Sequence, residues 1–340
     1  MGNSVSRRAF VGGAAALAAS AKSSSLPMRP FGKTGAKVTV LAIGCGNRLW
    51  MAYKDQDKGV EALNMAFDHG IRYFDTAQGY GDGISETWVG IATKGRRGDC
   101  FLATKTGARK ADDLLRRADE SLKRLQTDRL DVLHIHGLKD AAHLAEVEAK
   151  GGALEALYKL RDQKMVRFIG ITSHADPHAL ATALDRHDFN CTQMALNAGL
   201  QGRSADGSGF WKKTVPGKPM EFGEGLPPRP YPGASFQDVA LPVANRKGLG
   251  VIAMKVTAQE GLIGVGASKA SAEELIRYAL SLPVSVATVG MPQLGFIPKN
   301  TMLARSFKAM PKSDMRGLSD RLAAANKVAL DRHFADHQDA

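Results

Sequence analysis

Residues 73–86, YFDTAQGYGDGISE, run from an apolar, strand-like start into an acid, Asp75, and then through a glycine-rich turn that carries Tyr80. Asp and Gly suit a turn, and a tyrosine often packs its ring with the hydroxyl in water, so the stretch alone fits an ordinary strand end. The fold follows from the recurrence of the same pattern along the chain. Short β-rich runs at 37–44 (KVTVLAIG), 72–77 (RYFDTA), 100–107 (CFLATKTG), 131–137 (DVLHIHG), 168–174 (FIGITSH), 191–197 (CTQMALN), 250–256 (GVIAMKV) and 284–290 (VSVATVG) are separated by helical periodicity. The helical segments are 58–70, 84–95, 111–126, 152–165, 176–187, 235–248 and 271–282. Eight strands with intervening helices predict an α/β chain folded as a single (β/α)₈ TIM barrel.

A doubly wound sheet is the competing fold, and IGCG after the first strand invites it. A dinucleotide fingerprint needs G-x-G-x-x-G opening a helix directly, whereas IGCGNRLWMAYKDQD continues into a Trp-bearing polar loop without the third glycine. GKTG at 32–35 lacks phosphate-loop spacing and precedes a strand.

The ends and the composition set the context. SRRAFV at 6–11, followed by a small-residue run and an A-x-A pattern at Ala19–Ala21, looks like a twin-arginine export signal over 1–21. The alternative is a chance Arg pair before an alanine-rich tail. Export predicts a periplasmic protein that meets the twin-arginine translocase once, with 22–340 as the barrel. No later stretch reaches the roughly 18 apolar residues of a membrane helix, so no stable membrane insertion is expected. The charge of +12 is spread without a basic helix, so nucleic acid is not expected as a partner. Cys45, Cys100 and Cys191 are widely spaced, and no C-x-x-C pair offers a zinc or iron–sulfur site.

In such barrels the active site forms where the C-terminal strand ends meet. Asp75 ends the second strand, Tyr80 follows in its loop, Lys105 ends the third and His136 ends the fourth. Each is costly beside an apolar strand without a partner, and together they can satisfy one another. A phenol is a poor acid near neutral pH, and a neighbouring ammonium favours the phenolate. Asp75 would hold Lys105, while His136 would either orient a carbonyl oxygen or share its proton. The set amounts to a tuned general acid aimed at an oxygen that gains charge.

RPFGKTGAKVTVLAIG, GIRYFDTAQGYGDGISETWVG, FLATKTG, RLDVLHIHG, VRFIGITSH and VIAMK come in the order and spacing of the aldo-keto reductase family, which the chain resembles over roughly 28–305. The resemblance implies Asp75, Tyr80, Lys105 and His136 as the catalytic set, with Tyr80 donating the proton. It also implies a nicotinamide cofactor across the barrel mouth, NADP(H) with NAD(H) as the alternative, and a small-molecule aldehyde, ketone or alcohol as substrate. Ser173, His174 and Gln193 match positions around the nicotinamide carboxamide. The alternative for each is a strand-end polar residue capping the next helix. Met254 stands where the family's aromatic lies under the nicotinamide, with Lys255 beside it for a phosphate. Asn300 matches an adenine contact, whereas Phe296 replaces the arginine common in NADPH-specific members and leaves Lys299 as the nearby cation.

His134 and His136 form an H-x-H pair without a third ligand at metal spacing, so no metal is expected and His134 reads as a hydrogen-bonded interior residue. Trp50 either walls the substrate site or anchors its own loop. The Gly- and Pro-rich stretch 198–235, with Phe210, Trp211, Lys212, Lys213 and Tyr231, reads as a cover over a bound ligand, with a disordered insertion as the alternative. Two other functions stay open. One is a non-catalytic nicotinamide-binding regulatory protein on the same fold. The other is a sugar oxidoreductase that recycles one tightly held cofactor.

Overall fold

The computed structural model describes residues 25–202, 234–335 and 337. The export segment 1–21 and most of 198–235, including Phe210, Trp211, Lys212, Lys213 and Tyr231, lie outside the described residues. Strands β1 (Met28–Pro30) and β2 (Lys37–Thr39) form an antiparallel hairpin. Eight parallel strands follow, β3 (Leu41–Gly44), β4 (Tyr73–Asp75), β5 (Phe101–Thr106), β6 (Leu130–Ile135), β7 (Val166–Ser173), β8 (Cys191–Ala195), β9 (Gly250–Met254) and β10 (Val286–Gly290). Each pairs with its predecessor, and β10 closes on β3, giving the (β/α)₈ barrel. Their near-continuous apolar runs follow from burial on both faces, with the lumen inside and helices outside.

The N-terminal end of the lumen is sealed by aromatics. Phe31, from the β1–β2 turn, meets Phe101 edge-on at 5.1 Å, and Tyr73 stacks on Phe101 at 4.9 Å. A Cβ on Gly250 would lie 2.8 Å from the Phe31 ring, so β9 can start there only with glycine. The predicted first strand, 37–44, is therefore two elements. Its first half belongs to the plug hairpin, and only Leu41–Gly44 joins the barrel.

The helical shell obeys its periodicity. In the helix Ala111–Arg124, Leu114, Ala118, Ser121 and Leu122 are buried, while Asp113 pairs outward with Arg116 and Arg117. Each fully buried leucine stabilises by about 1.5–3 kcal/mol, whereas exposed ion pairs contribute at most about 1 kcal/mol. The segment 235–248 is helical only over Ala240–Arg246, because Ser235–Val239 forms turns and Pro242 is tolerated only in a first turn. Four helices were not legible as such: Asn47–Tyr53, Ala141–Glu148, Phe296–Arg305 and Lys312–Ala335. The 24-residue helix Lys312–Ala335 matters most, since its second half reaches residues just beyond β7, β8 and β9. Among the described residues no helix is long and apolar enough to cross a membrane.

Candidate active site

At the C-terminal mouth, Lys105 Nζ lies 3.0 Å from Asp75 Oδ1, donates to the Thr76 carbonyl at 2.8 Å and reaches the Tyr80 hydroxyl at 3.4 Å. The side chains of Lys105 and Asp75 are almost wholly buried, and Tyr80 is 8% exposed. Losing hydration from two charges is expensive, so they persist there only because each has its counter-charge and hydrogen bonds. The ammonium also stands 4.9 Å from the centre of the Tyr80 ring. The three side chains form one continuous polar chain whose outer end is the phenol.

The remainder of 73–86 explains why Tyr80 sits so close behind Asp75. Gln78 N donates to the Lys105 carbonyl and Tyr80 N to that of Ala77, which curls the loop back over the strand ends. Ser85 Oγ donates to the Cys45 carbonyl at 2.5 Å and lies 2.7 Å from Thr76 Oγ1. Glu86, fully buried, accepts from Thr104 Oγ1 at 2.5 Å and from Arg124 Nε at 2.7 Å. Ser85 and Glu86 thus anchor the loop on the helix Ile84–Thr93. Neither was singled out from sequence; the available signal was a polar pair at the start of an otherwise apolar helix.

Asn47 completes the collar, its Oδ1 accepting from Gly81 N and from Trp50 Nε1, each at 3.1 Å. Trp50 is thereby both packed against its own helix and pinned beside the Tyr80 loop. His136, half-buried just past β6, presents its ring edge-on to Tyr80 at 5.7 Å, and its backbone N–H donates to the Thr106 carbonyl at 2.9 Å. All four catalytic candidates meet at one mouth.

His134 differs from its expected environment. It is interior and fully buried, but neither ring nitrogen has a hydrogen-bond partner among the described residues. The ring lies over β7, where a Cβ on Gly170 would fall 2.4 Å from His134 Nδ1. Burial, then the Lys105 charge, hold the imidazole well below its ordinary range and therefore neutral. Among the described residues no His, Cys, Asp and Glu cluster could hold a metal ion.

The cofactor candidates are distributed around the same mouth. Gln193 is 1% exposed, and its Nε2 donates to Asp75 Oδ2 at 2.8 Å. Its Oε1 is buried without a partner among the described residues, an acceptor that fits an incoming amide N–H. Ser173 Oγ donates to the Leu138 carbonyl and accepts from Ala175 N and Asp176 N, so it builds the turn into the helix Pro177–Arg186. His174 Nδ1 is 3.2 Å from the Phe334 carbonyl, and Lys255 Nζ lies 5.1 Å over the Phe334 ring. Met254 is buried at the end of β9, while Lys299 is exposed and Asn300 half-buried in the helix Phe296–Arg305. The tetrad side and Gln193 fit a nicotinamide group; His174 and Lys255 face the C-terminal helix.

That helix also closes the neck of the long stretch. Gly202 and Ser235 form an antiparallel bridge. Lys327 Nζ donates to the Leu200 carbonyl at 2.8 Å and reaches that of Ala234 at 3.4 Å, while Asp331 Oδ1 accepts from Gly202 N at 2.7 Å.

Fold and site together define a (β/α)₈ barrel with a buried carboxylate–ammonium–phenol chain at its mouth. The Aldo/keto reductase family model matches residues 41–201, and over that span the chain is similar to this family. It is 34% identical over 158 residues to an L-galactose dehydrogenase of Arabidopsis thaliana, covering 43% of this chain and 48% of that protein. It is 31% identical over 194 residues to a D-threo-aldose 1-dehydrogenase of Pseudomonas, covering 47% and 57%. The chain thus spans about half the length of these curated relatives. An aldo-keto reductase from Klebsiella pneumoniae, solved in complex with NADPH, superposes with a TM-score of 0.64 at 21% identity over 92% of this chain and 99% of that one, a likeness of fold.

Proposed function

We propose that this chain is an NADP(H)-dependent oxidoreductase that interconverts an aldehyde or ketone and its alcohol, with Tyr80 as the proton donor in reduction. The observation that carries this is the buried chain from Asp75 through Lys105 to the Tyr80 hydroxyl. When bound, the nicotinamide supplies or accepts the hydride. In reduction the Tyr80 O–H bond breaks as its proton passes to the carbonyl oxygen. The Lys105 ammonium stabilises the phenolate left behind, and Asp75 keeps that ammonium in place. His136, edge-on to Tyr80, orients the oxygen between them. In the oxidising direction the same phenolate takes the alcohol proton.

The names of the two curated relatives favour a sugar as substrate, and a sugar oxidoreductase that recycles a tightly held cofactor is the second reading. A non-catalytic nicotinamide-binding role has less support, since it gives no reason to bury a charged pair behind a phenol. The predicted signal supports export by the twin-arginine pathway and action in the periplasm. The deciding assay follows NADPH absorbance with a panel of aldehydes and aldoses, and NADP⁺ with sugars. Turnover that depends on Tyr80 is expected; absence of turnover with the whole panel would reject the catalytic reading.

A further inference from the structure

We propose that Gln193 is a positioning residue for the proton donor, holding Asp75 across the barrel lumen and so coupling the nicotinamide side of the mouth to Lys105 and Tyr80. The coupling rests on the function proposed above; the positioning role does not.

Gln193 lies on β8 and Asp75 on β4, strands four places apart in a ring of eight and therefore on opposite walls. Their hydrogen bond joins residues 118 positions apart. It is a crossbar through a lumen whose lower levels are apolar, including Tyr73, Phe101, Val132 and Ile252. A buried amide there is costly: ordering a glutamine side chain costs up to about 2 kcal/mol, and each unmet polar atom about 1–3 kcal/mol more. A methionine would fill the same space at a similar ordering cost but with no amide atom to leave unmet.

The polar crossbar divides the carboxylate between two tasks. Oδ1 faces the Lys105 ammonium at 3.0 Å, and Oδ2 is held by Gln193 at 2.8 Å. A carboxylate gripped at one oxygen can turn about its Cβ–Cγ bond; gripped at both, its plane is fixed. That plane decides where Lys105 rests between the Thr76 carbonyl and the Tyr80 hydroxyl. The orientation of the amide follows from chemistry, because an ionised carboxylate only accepts and must face Nε2. Oε1 is then the end left buried without a partner among the described residues. An amide donor arriving there would polarise the Nε2–H donor toward Asp75, so one side chain serves both sides of the mouth.

The test uses the cofactor-free full-length protein. Tyrosinate absorbance is titrated with pH, and the Tyr80 component is isolated by subtracting the same titration of Tyr80→Phe. In Gln193→Met, with its matching double variant as reference, the Tyr80 midpoint is expected to rise by about one pH unit, a tenfold change in its dissociation constant. The rise follows because a loosened Asp75 lets Lys105 settle on the Thr76 carbonyl. A midpoint that is unmoved or lowered in a folded Gln193→Met protein overturns the proposal. A residue that served only the nicotinamide would leave this titration unchanged. If Gln193→Met does not fold, the Gln193 side-chain amide is followed by NMR in wild type and Asp75→Asn. A downfield N–H signal that shifts on Asp75→Asn supports the crossbar, and an unchanged signal overturns it. A raised midpoint without turnover on any carbonyl would reject the proposed function and leave the positioning role standing.

Discussion

Lys105 and Asp75 meet at 3.0 Å with side chains 1% and 4% exposed, deep at the mouth of the barrel. A pair so removed from water is a poor way to add stability, because desolvation consumes most of the Coulombic gain. Its effect is to hold a positive charge behind the Tyr80 hydroxyl, and the mutational expectations start there.

If Tyr80 delivers the proton, Tyr80→Phe keeps the ring and lowers carbonyl reduction by about 10²- to 10⁴-fold, while stability changes by only about 1 kcal/mol. Lys105→Met strands the Asp75 carboxylate, costs about 3–5 kcal/mol and displaces the pH dependence of any residual reduction. Steady-state rates against pH, beside urea melts, check both. More than a tenth of wild-type turnover in Tyr80→Phe would remove Tyr80 from the role of acid.

Cofactor choice is expected to be weak. Phe296 stands at the start of its helix, packed against the core, and Lys299 is the exposed cation one turn on. Dissociation constants for NADPH and NADH measured by fluorescence should differ by less than about a thousandfold, equivalent to about 4 kcal/mol. Lys299→Ala should narrow that gap further.

The C-terminal helix is fastened by a buried pair, Lys327 Nζ to Asp331 Oδ2 at 2.8 Å, whose partners close the neck at Leu200 and Gly202. Burial pushes the Asp331 carboxyl up, opposed by Lys327. Lys327→Met leaves that carboxyl without its cation and should cost about 3–5 kcal/mol in chemical denaturation. Lys327→Met combined with Asp331→Leu should recover much of the loss. Equal stability of the single variant and wild type would show that the pair fastens nothing.

Acid should destabilise the protein through its buried histidines. Burial, then His337, Lys255 and His174, push His333 down to about 4, and His134 is also held well below its usual value. Near pH 7 both are neutral in the folded chain. As pH falls below about 6.5 the unfolded chain takes up protons that the folded chain refuses, so stability present above that point is lost progressively toward pH 4. Urea midpoints at pH 7, 5.5 and 4.5 should decline, and less steeply in His333→Phe.

Export is tested at the Arg pair. Replacing Arg7 and Arg8 by Lys should leave the chain in the cytoplasm of a bacterium with the twin-arginine pathway, whereas the unaltered chain is expected in the periplasmic fraction. Finding the unaltered chain only in the cytoplasm would refute the assignment.

The sequence by itself carried the strand count and therefore the barrel, because strands buried on both faces must be apolar throughout and flanked by turns. It also carried the convergence of Asp75, Tyr80, Lys105 and His136 on one mouth, since charged and polar residues at apolar strand ends have little reason to be there except one another. It could not show that Thr39 and Leu41 belong to different sheets, because a hairpin strand and a barrel strand share the same alternation. The C-terminal helix escaped for a related reason. Apart from the deeply buried Leu322, Leu330 and Phe334, its covered face includes Asn326, Lys327 and Asp331, polar residues that make sense only once the Ser268 carbonyl is brought to the first and the carbonyls and N–H groups around Gly202 to the other two. Gln193 marks the same divide. Its position on a strand was readable, but its partner lies 118 residues away on the opposite wall, and only closure of the barrel brings amide and carboxylate within 2.8 Å.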